Sequence, residues 1–203
     1  MEFEVEKGYG ESLCNTIRQV ALTKMRVARP IAFKVGVISN VLSAGDNVLE
    51  DMVEFFSNVS KYNYRIKSDK EIVSVTVRCD GTMRLGDLNS AEVEVLSADT
   101  ASVEILHTLH NAVDVVIYFR NGTNGATKDD NTYFLERFGV QDGSLTVCNS
   151  RHNLIDTFTI KISDLDEARD KVAINIVTND GTSEKDVVAT ACKELARVLS
   201  SLS

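Results

Sequence analysis

The stretch Lys7-Gly8-Tyr9-Gly10-Glu11-Ser12-Leu13-Cys14-Asn15-Thr16-Ile17-Arg18-Gln19-Val20 decides how this chain is read. Ahead of it, Phe3 to Val5 reads as a short strand. Gly8 and Gly10 then permit a tight corner, and a helix follows over residues 11–25, with Leu13, Ile17, Val20 and Ala21 forming one apolar stripe. A Gly-x-Gly turn before a helix also opens the dinucleotide-binding fingerprint, but the third glycine of that motif falls on Leu13. The turn is a strand-to-helix corner, not a phosphate cradle.

Downstream, Pro30 and the preceding Arg29 stop the helix from continuing. Ile31 to Ile38 has strand character, and the turn from Ser43 to Asn47 offers Asp46 and Asn47 as caps for a second helix reaching about Ser60. Val48, Met52, Phe55, Phe56 and Val59 give that helix its buried face, with Glu50 and Asp51 in its first turn, where carboxylates suit the helix dipole. From Tyr62 to Cys148 the pattern is mostly β, with strands at Ile72–Arg78, Val93–Leu96, Val103–Leu106 and Val113–Phe119, and a polar loop from Asn121 to Asn131.

A strand pair, Asp156–Ile162 and Val172–Thr178, precedes a final helix that Ser183 caps, with Asp186 three residues on. In that helix Val188, Ala191, Leu195, Val198 and Leu202 repeat at alternating spacings of three and four, a narrow seam that Val187 and Leu199 broaden. The seam has two readings: a helix–helix contact between two chains, or packing within one.

The composition is that of a globular protein, 43% hydrophobic and 26% charged over 203 residues. A net charge of −8 argues against a protein whose main work is gripping phosphate backbones. No apolar run is long enough for a membrane span, and the acidic start, Met1-Glu2-Phe3-Glu4, is unlike a secretory signal, so a cytoplasmic location is expected. Cys14, Cys79, Cys148 and Cys192 lie far apart and read as buried free thiols.

His107 and His110 read as a loop pair with no carboxylate or cysteine to complete a metal site, and His152 stands alone. Asp164-x-Asp166 begins like a calcium loop, but Ala168 and Arg169 break the pattern. No cofactor is expected.

Four segments, in order, resemble the N-terminal part of the bacterial RNA polymerase alpha subunit. The opening segment carries Lys7-Gly8-Tyr9-Gly10, Ser12-Leu13, Asn15 and Arg18-Gln19; the second runs from Val37 through Val48-Leu49-Glu50-Asp51 to Asn58. The third contains Leu85-Gly86-Asp87-Leu88 and Glu92-Val93-Glu94-Val95-Leu96, and the fourth contains Asp170-Lys171-Val172-Ala173-Ile174, Asn179-Asp180-Gly181-Thr182 and the last helix.

The resemblance implies an α+β, two-lobed fold. One lobe, residues 1–26 plus 154–203, would be a dimerisation subdomain with two helices packed on a sheet. The other, residues 27–153, would be an inserted, mostly β subdomain contacting a large polymerase subunit. Asn15, Arg18, Gln19, Glu50 and Asp51 match large-subunit contacts, and Leu13, Ile17, Val20, Val188, Ala191, Leu195, Val198 and Leu202 would form the dimer interface.

Such a chain would be non-catalytic by itself. It would pair with itself or a second alpha-like chain and scaffold beta-like and beta-prime-like large subunits in transcription. An alternative is an alpha mimic that binds and modulates or inhibits a host RNA polymerase. The family's second helical arginine is Gln19 here, which removes one fork for carboxylates. The family's leading segment and its DNA-reading C-terminal domain have no counterpart, so no direct promoter contact is expected. The drift suits a viral version in a host cytoplasm or an organellar one in a stroma.

Overall fold

The computed structural model describes residues 1–36, 47–97, 99–179 and 181–201. In chain order it contains β1 (Glu2–Glu6), α1 (Gly10–Lys24), β2 (Val27–Val35), α2 (Met52–Ser60), β3 (Tyr64–Ile66), β4 (Ile72–Cys79) and β5 (Thr82–Arg84). A 3-10 turn at Leu85–Leu88 follows, then β6 (Val93–Val95), β7 (Glu104–His107), β8 (Val113–Gly122), β9 (Asn124–Ala126) and α3 (Lys128–Arg137). The chain closes with β10 (Thr146–Val147), β11 (Ser150–His152), β12 (Ile155–Asp164), β13 (Arg169–Thr178) and α4 (Glu184–Ser200). Helices and antiparallel sheets together make the class α+β.

Two compact units share the chain: Met1–Arg26 with Asn153–Ser203, and Val27–His152. In the first, β13 is the centre of a three-stranded antiparallel sheet between β1 and β12. Val172, Ile174 and Ile176 alternate inward along β13, as a half-buried strand requires, and α1 and α4 pack on each other and on the sheet. The corner before α1 is built on Gly8 in the left-handed region (φ +88°), and its N–H donates to the buried Asp170 carboxylate at 2.9 Å. Ser183 caps α4 as expected, its hydroxyl accepting from the Asp186 N–H at 3.2 Å.

In the second unit a six-stranded sheet runs β4-β8-β2-β3-β6, with β10 also on β2. The strand β2 starts four residues earlier than the sequence pattern predicts and carries Pro30 inside it. The register with β8 shifts between Pro30 and Ala32, so the missing N–H falls at an irregularity in the ladder. Phe33 and Val35 enter a core with α2, where the Phe33 ring meets Phe55 edge-on at 5.3 Å and Phe56 stacked at 5.5 Å. Ile31 and Ala32 pack on the other side under Phe134 and Leu135 of α3.

Three expectations change. The polar run after Asn121 is not one loop: a helix starts at Lys128, capped by Thr127 and Asp130 reciprocally and ended by Gly139 at φ +76°. The second helix starts at Met52, with Asp51 as its cap, accepting from the Glu54 N–H at 2.7 Å; Glu50 therefore precedes the helix. Asn47 instead accepts from the His110 and Asn111 N–H groups, while the predicted cap Asp46 and the strand end at Val37 and Ile38 lie outside the described residues.

Candidate functional site

The first unit presents the helical surface that the sequence singles out. At about 3.6 residues per turn, Gly10, Cys14, Ile17 and Ala21 share the buried side of α1. Leu13 is exposed and Val20 half-buried on one flank of that stripe. Asn15, Arg18 and Gln19 are all exposed on the same helix, away from its core.

Along α4 the seam changes character. Val188 and Ala191 are buried in their own unit, Leu195 is half-buried, and Val198 and Leu199 stand 43% and 63% exposed. Ile17, Val188 and Ala191 thus spend their apolar surface inside one chain and offer little to a second. Leu202 lies outside the described residues. A groove of about 240 Å³ runs between the helices, lined by Val20, Lys24, Thr190, Ala191, Glu194 and Arg197.

In the second unit, Asp51 is exposed and occupied as a cap, while Glu50 is buried. Glu50 Oε2 accepts from the His107 backbone N–H at 2.8 Å, and Oε1 lies 2.5 Å from His107 Nδ1. His107 Nε2 lies 3.1 Å from Glu104 Oε2. Glu104, three residues before His107, is a carboxylate that the sequence already sets near it, whereas Glu50 is 57 residues away and only folding joins it to the ring.

His152 is not alone either. It is 2% exposed and sits in a directed chain: Arg120 Nη1 donates to Asn131 Oδ1 (3.1 Å), and Asn131 Nδ2 donates to Ser150 Oγ (3.1 Å). Ser150 Oγ donates to His152 Nε2 (2.9 Å), and His152 Nδ1 donates to the Val27 carbonyl (3.0 Å). Every donor meets an acceptor only if the imidazole is neutral with its proton on Nδ1. Burial pushes its pKa down to about 4, against the opposing hydrogen bond to Val27. Ser150 and His152 have the spacing of a nucleophile and base, but both are buried, so the pair is structural.

The four thiols are all free: Cys14 and Cys79 are buried, Cys148 is half-buried and Cys192, against expectation, is exposed. Among the described residues no group of three or more His, Cys, Asp or Glu is placed to hold a metal ion. None of the described helices is long and apolar enough to cross a membrane.

No protein-family model matches the chain. The DNA-directed RNA polymerase subunit alpha of Mycoplasma capricolum is 25% identical over 201 residues, covering 94% of this chain. That of Leuconostoc mesenteroides is 26% identical over 203 residues and 96% of this chain. The chain is similar to bacterial RNA polymerase alpha subunits along nearly its whole length. A third alpha subunit, from Oenococcus oeni, is 30% identical over 116 residues, which are 55% of this chain and 37% of that protein. The chain spans about 62% of the length of the Mycoplasma and Leuconostoc relatives.

Proposed function

We propose that the chain is an alpha-like, non-catalytic assembly subunit of a multisubunit DNA-dependent RNA polymerase. The observation that carries this reading is similarity to proteins named alpha subunit across 94–96% of the chain. The apolar side chains that α1 and α4 leave outside their own core support it. In this reading Leu13, Val20, Leu195, Val198 and Leu199 meet a second copy or a second alpha-like chain, with Ile17, Val188 and Ala191 as the packed base behind them. Full burial of a large aliphatic is worth about 1.5–3 kcal/mol; these side chains are already partly covered, so each adds only part of that and the contact draws on several of them together.

Asn15, Arg18 and Gln19 on α1, and the exposed Asp51 before α2, engage beta-like or beta-prime-like large subunits, whereas Glu50, buried against His107, does not. The unit from Val27 to His152 meets a large subunit, while the other unit carries the dimer contact and, on α1, a large-subunit contact as well.

Sedimentation equilibrium tests the dimer step. Wild type should run at twice 22.4 kDa, and Leu195→Asp or the more exposed Leu199→Asp should run at the single-chain mass with an unchanged circular dichroism spectrum. Two folded variants that keep the double mass would remove the α4 surface from the interface. Arg18→Ala should keep the dimer and lose large-subunit binding.

A further inference from the structure

Both ring nitrogens of His107 face carboxylate oxygens, Glu50 on the Nδ1 side and Glu104 on the Nε2 side. A neutral imidazole carries a single N–H, so it can donate to only one of them, and its other nitrogen then turns a lone pair toward a carboxylate oxygen. An imidazolium satisfies both.

The surrounding pairing gives this ring a mechanical place. Ahead of α2, the segment 47–50 lies antiparallel to the end of β7 and the residues after it. Val48 bridges Thr108, the Leu49 N–H donates to the His107 carbonyl at 3.0 Å, and the Leu109 N–H donates to the Asn47 carbonyl at 2.9 Å. At the helix end of this short ladder Glu50 holds His107 twice, by ring and by backbone. Leu49, 63% exposed, rides on the fastened segment.

We propose that His107 is a proton-operated latch: as the imidazolium, with Glu104 of its own strand on one ring nitrogen, it ties the lead-in of α2 to β7 through a charge-assisted hydrogen bond to Glu50, and loss of its proton frees the Glu104 arm, leaves Glu50 only a neutral donor and loosens that lead-in. The charged groups around it are Glu50 and the adjacent Asp51 from the α2 side and Glu104 on β7. From β5 comes Arg84, whose Nη2 is 3.8 Å from Glu104 Oε1; Asp87 accepts from the Arg84 N–H, and Asp80 stands in the turn before β5. Arg84 draws on Glu104 and works against the latch, while Glu50 and Glu104 work for it.

The hydrogen bond to Glu50, chiefly, holds the His107 pKa above its ordinary 6.5, partial burial opposing it and Glu104 adding to it. A raised pKa stabilises the fold below 6.5, and that contribution fades as pH climbs through the folded value. The latch therefore opens on the alkaline side. It stands independently of the polymerase reading.

The test is an NMR titration of the intact chain, following the His107 ring and the hydrogen-exchange protection factor of the Leu49 amide. The expected ring midpoint lies above 6.5 and shifts down in Glu104→Gln, a change at an exposed residue that leaves the core untouched. Leu49 protection should drop as pH rises through the wild-type midpoint, and that drop should vanish in His107→Gln. Should His107→Gln fail to fold, the drop in Glu104→Gln should move down with the ring midpoint. A ring midpoint at or below 6.5, or a Leu49 protection factor constant through the ring titration, would overturn the latch.

Discussion

At the residue scale, the two engaged histidines pull stability in opposite directions with pH. His152 is neutral in the fold with a pKa near 4, against an ordinary 6.5. Between those values the unfolded chain binds more protons, so stability falls as the solution is acidified through that window. The loss is at most about 3.5 kcal/mol at its acid end, from 1.4 kcal/mol for each unit of depression. Urea denaturation across that range, compared between wild type and His152→Gln, should show this slope in wild type and lose it in the variant.

Gly122 touches the same ring: a β-carbon there would sit 3.2 Å from three imidazole atoms. Gly122→Ala should therefore cost about 1–3 kcal/mol by overpacking, measured by the same denaturation. A neutral effect would show that the ring can give way. Neither histidine's environment was legible in the sequence. Glu104 and Ser150 lie within three residues of their histidines, but Glu50 reaches His107 and Val27 reaches His152 across 57 and 125 residues, and no local spacing records those longer meetings.

At the scale of elements, legibility followed the strength of the local signal. The helices α1 and α4 announce themselves by period, corner and cap, and were read within a residue or two of where they lie. The strand pair β12 and β13 was read in place but short, because its polar ends carry no alternation. The helix α3 was missed although Thr127 and Asp130 spell its capping box. Its neighbours Asn121, Gly122, Asn124 and Gly125 look like turn residues, yet they belong to β8 and β9.

The cap is a direct handle on that helix. Thr127→Ala should lower stability by about 1 kcal/mol in thermal or chemical unfolding, and Thr127→Ser should restore most of it. Arg120, whose guanidinium lies 4.0 Å over the Phe134 ring while holding Asn131, ties α3 to β8. Phe134→Ala should cost more than the cap, about 3–5 kcal/mol, because it opens the space over Ile31 and Ala32.

At the scale of the whole molecule, the apolar surface left on α1 and α4 and the similarity to alpha subunits point the same way. Among the described residues, Val188 and Ala191 of the seam are buried within the chain, Leu195 is half-buried, and Val198 and the neighbouring Leu199 stand exposed. The sequence could not divide it so: a spacing of three and four shows a stripe but not where the sheet beneath it stops. The candidate contact residues divide likewise, Asn15, Arg18 and Gln19 being exposed on α1 while Glu50 is already engaged by His107.

The most direct test of the assembly role is affinity purification of the tagged chain from the cells that make it, with co-purifying chains identified by mass and the eluate assayed for RNA synthesis on a DNA template. Stoichiometric recovery of two large polymerase subunits, with template-dependent synthesis, is the predicted result. Recovery of the chain without either large subunit would contradict it.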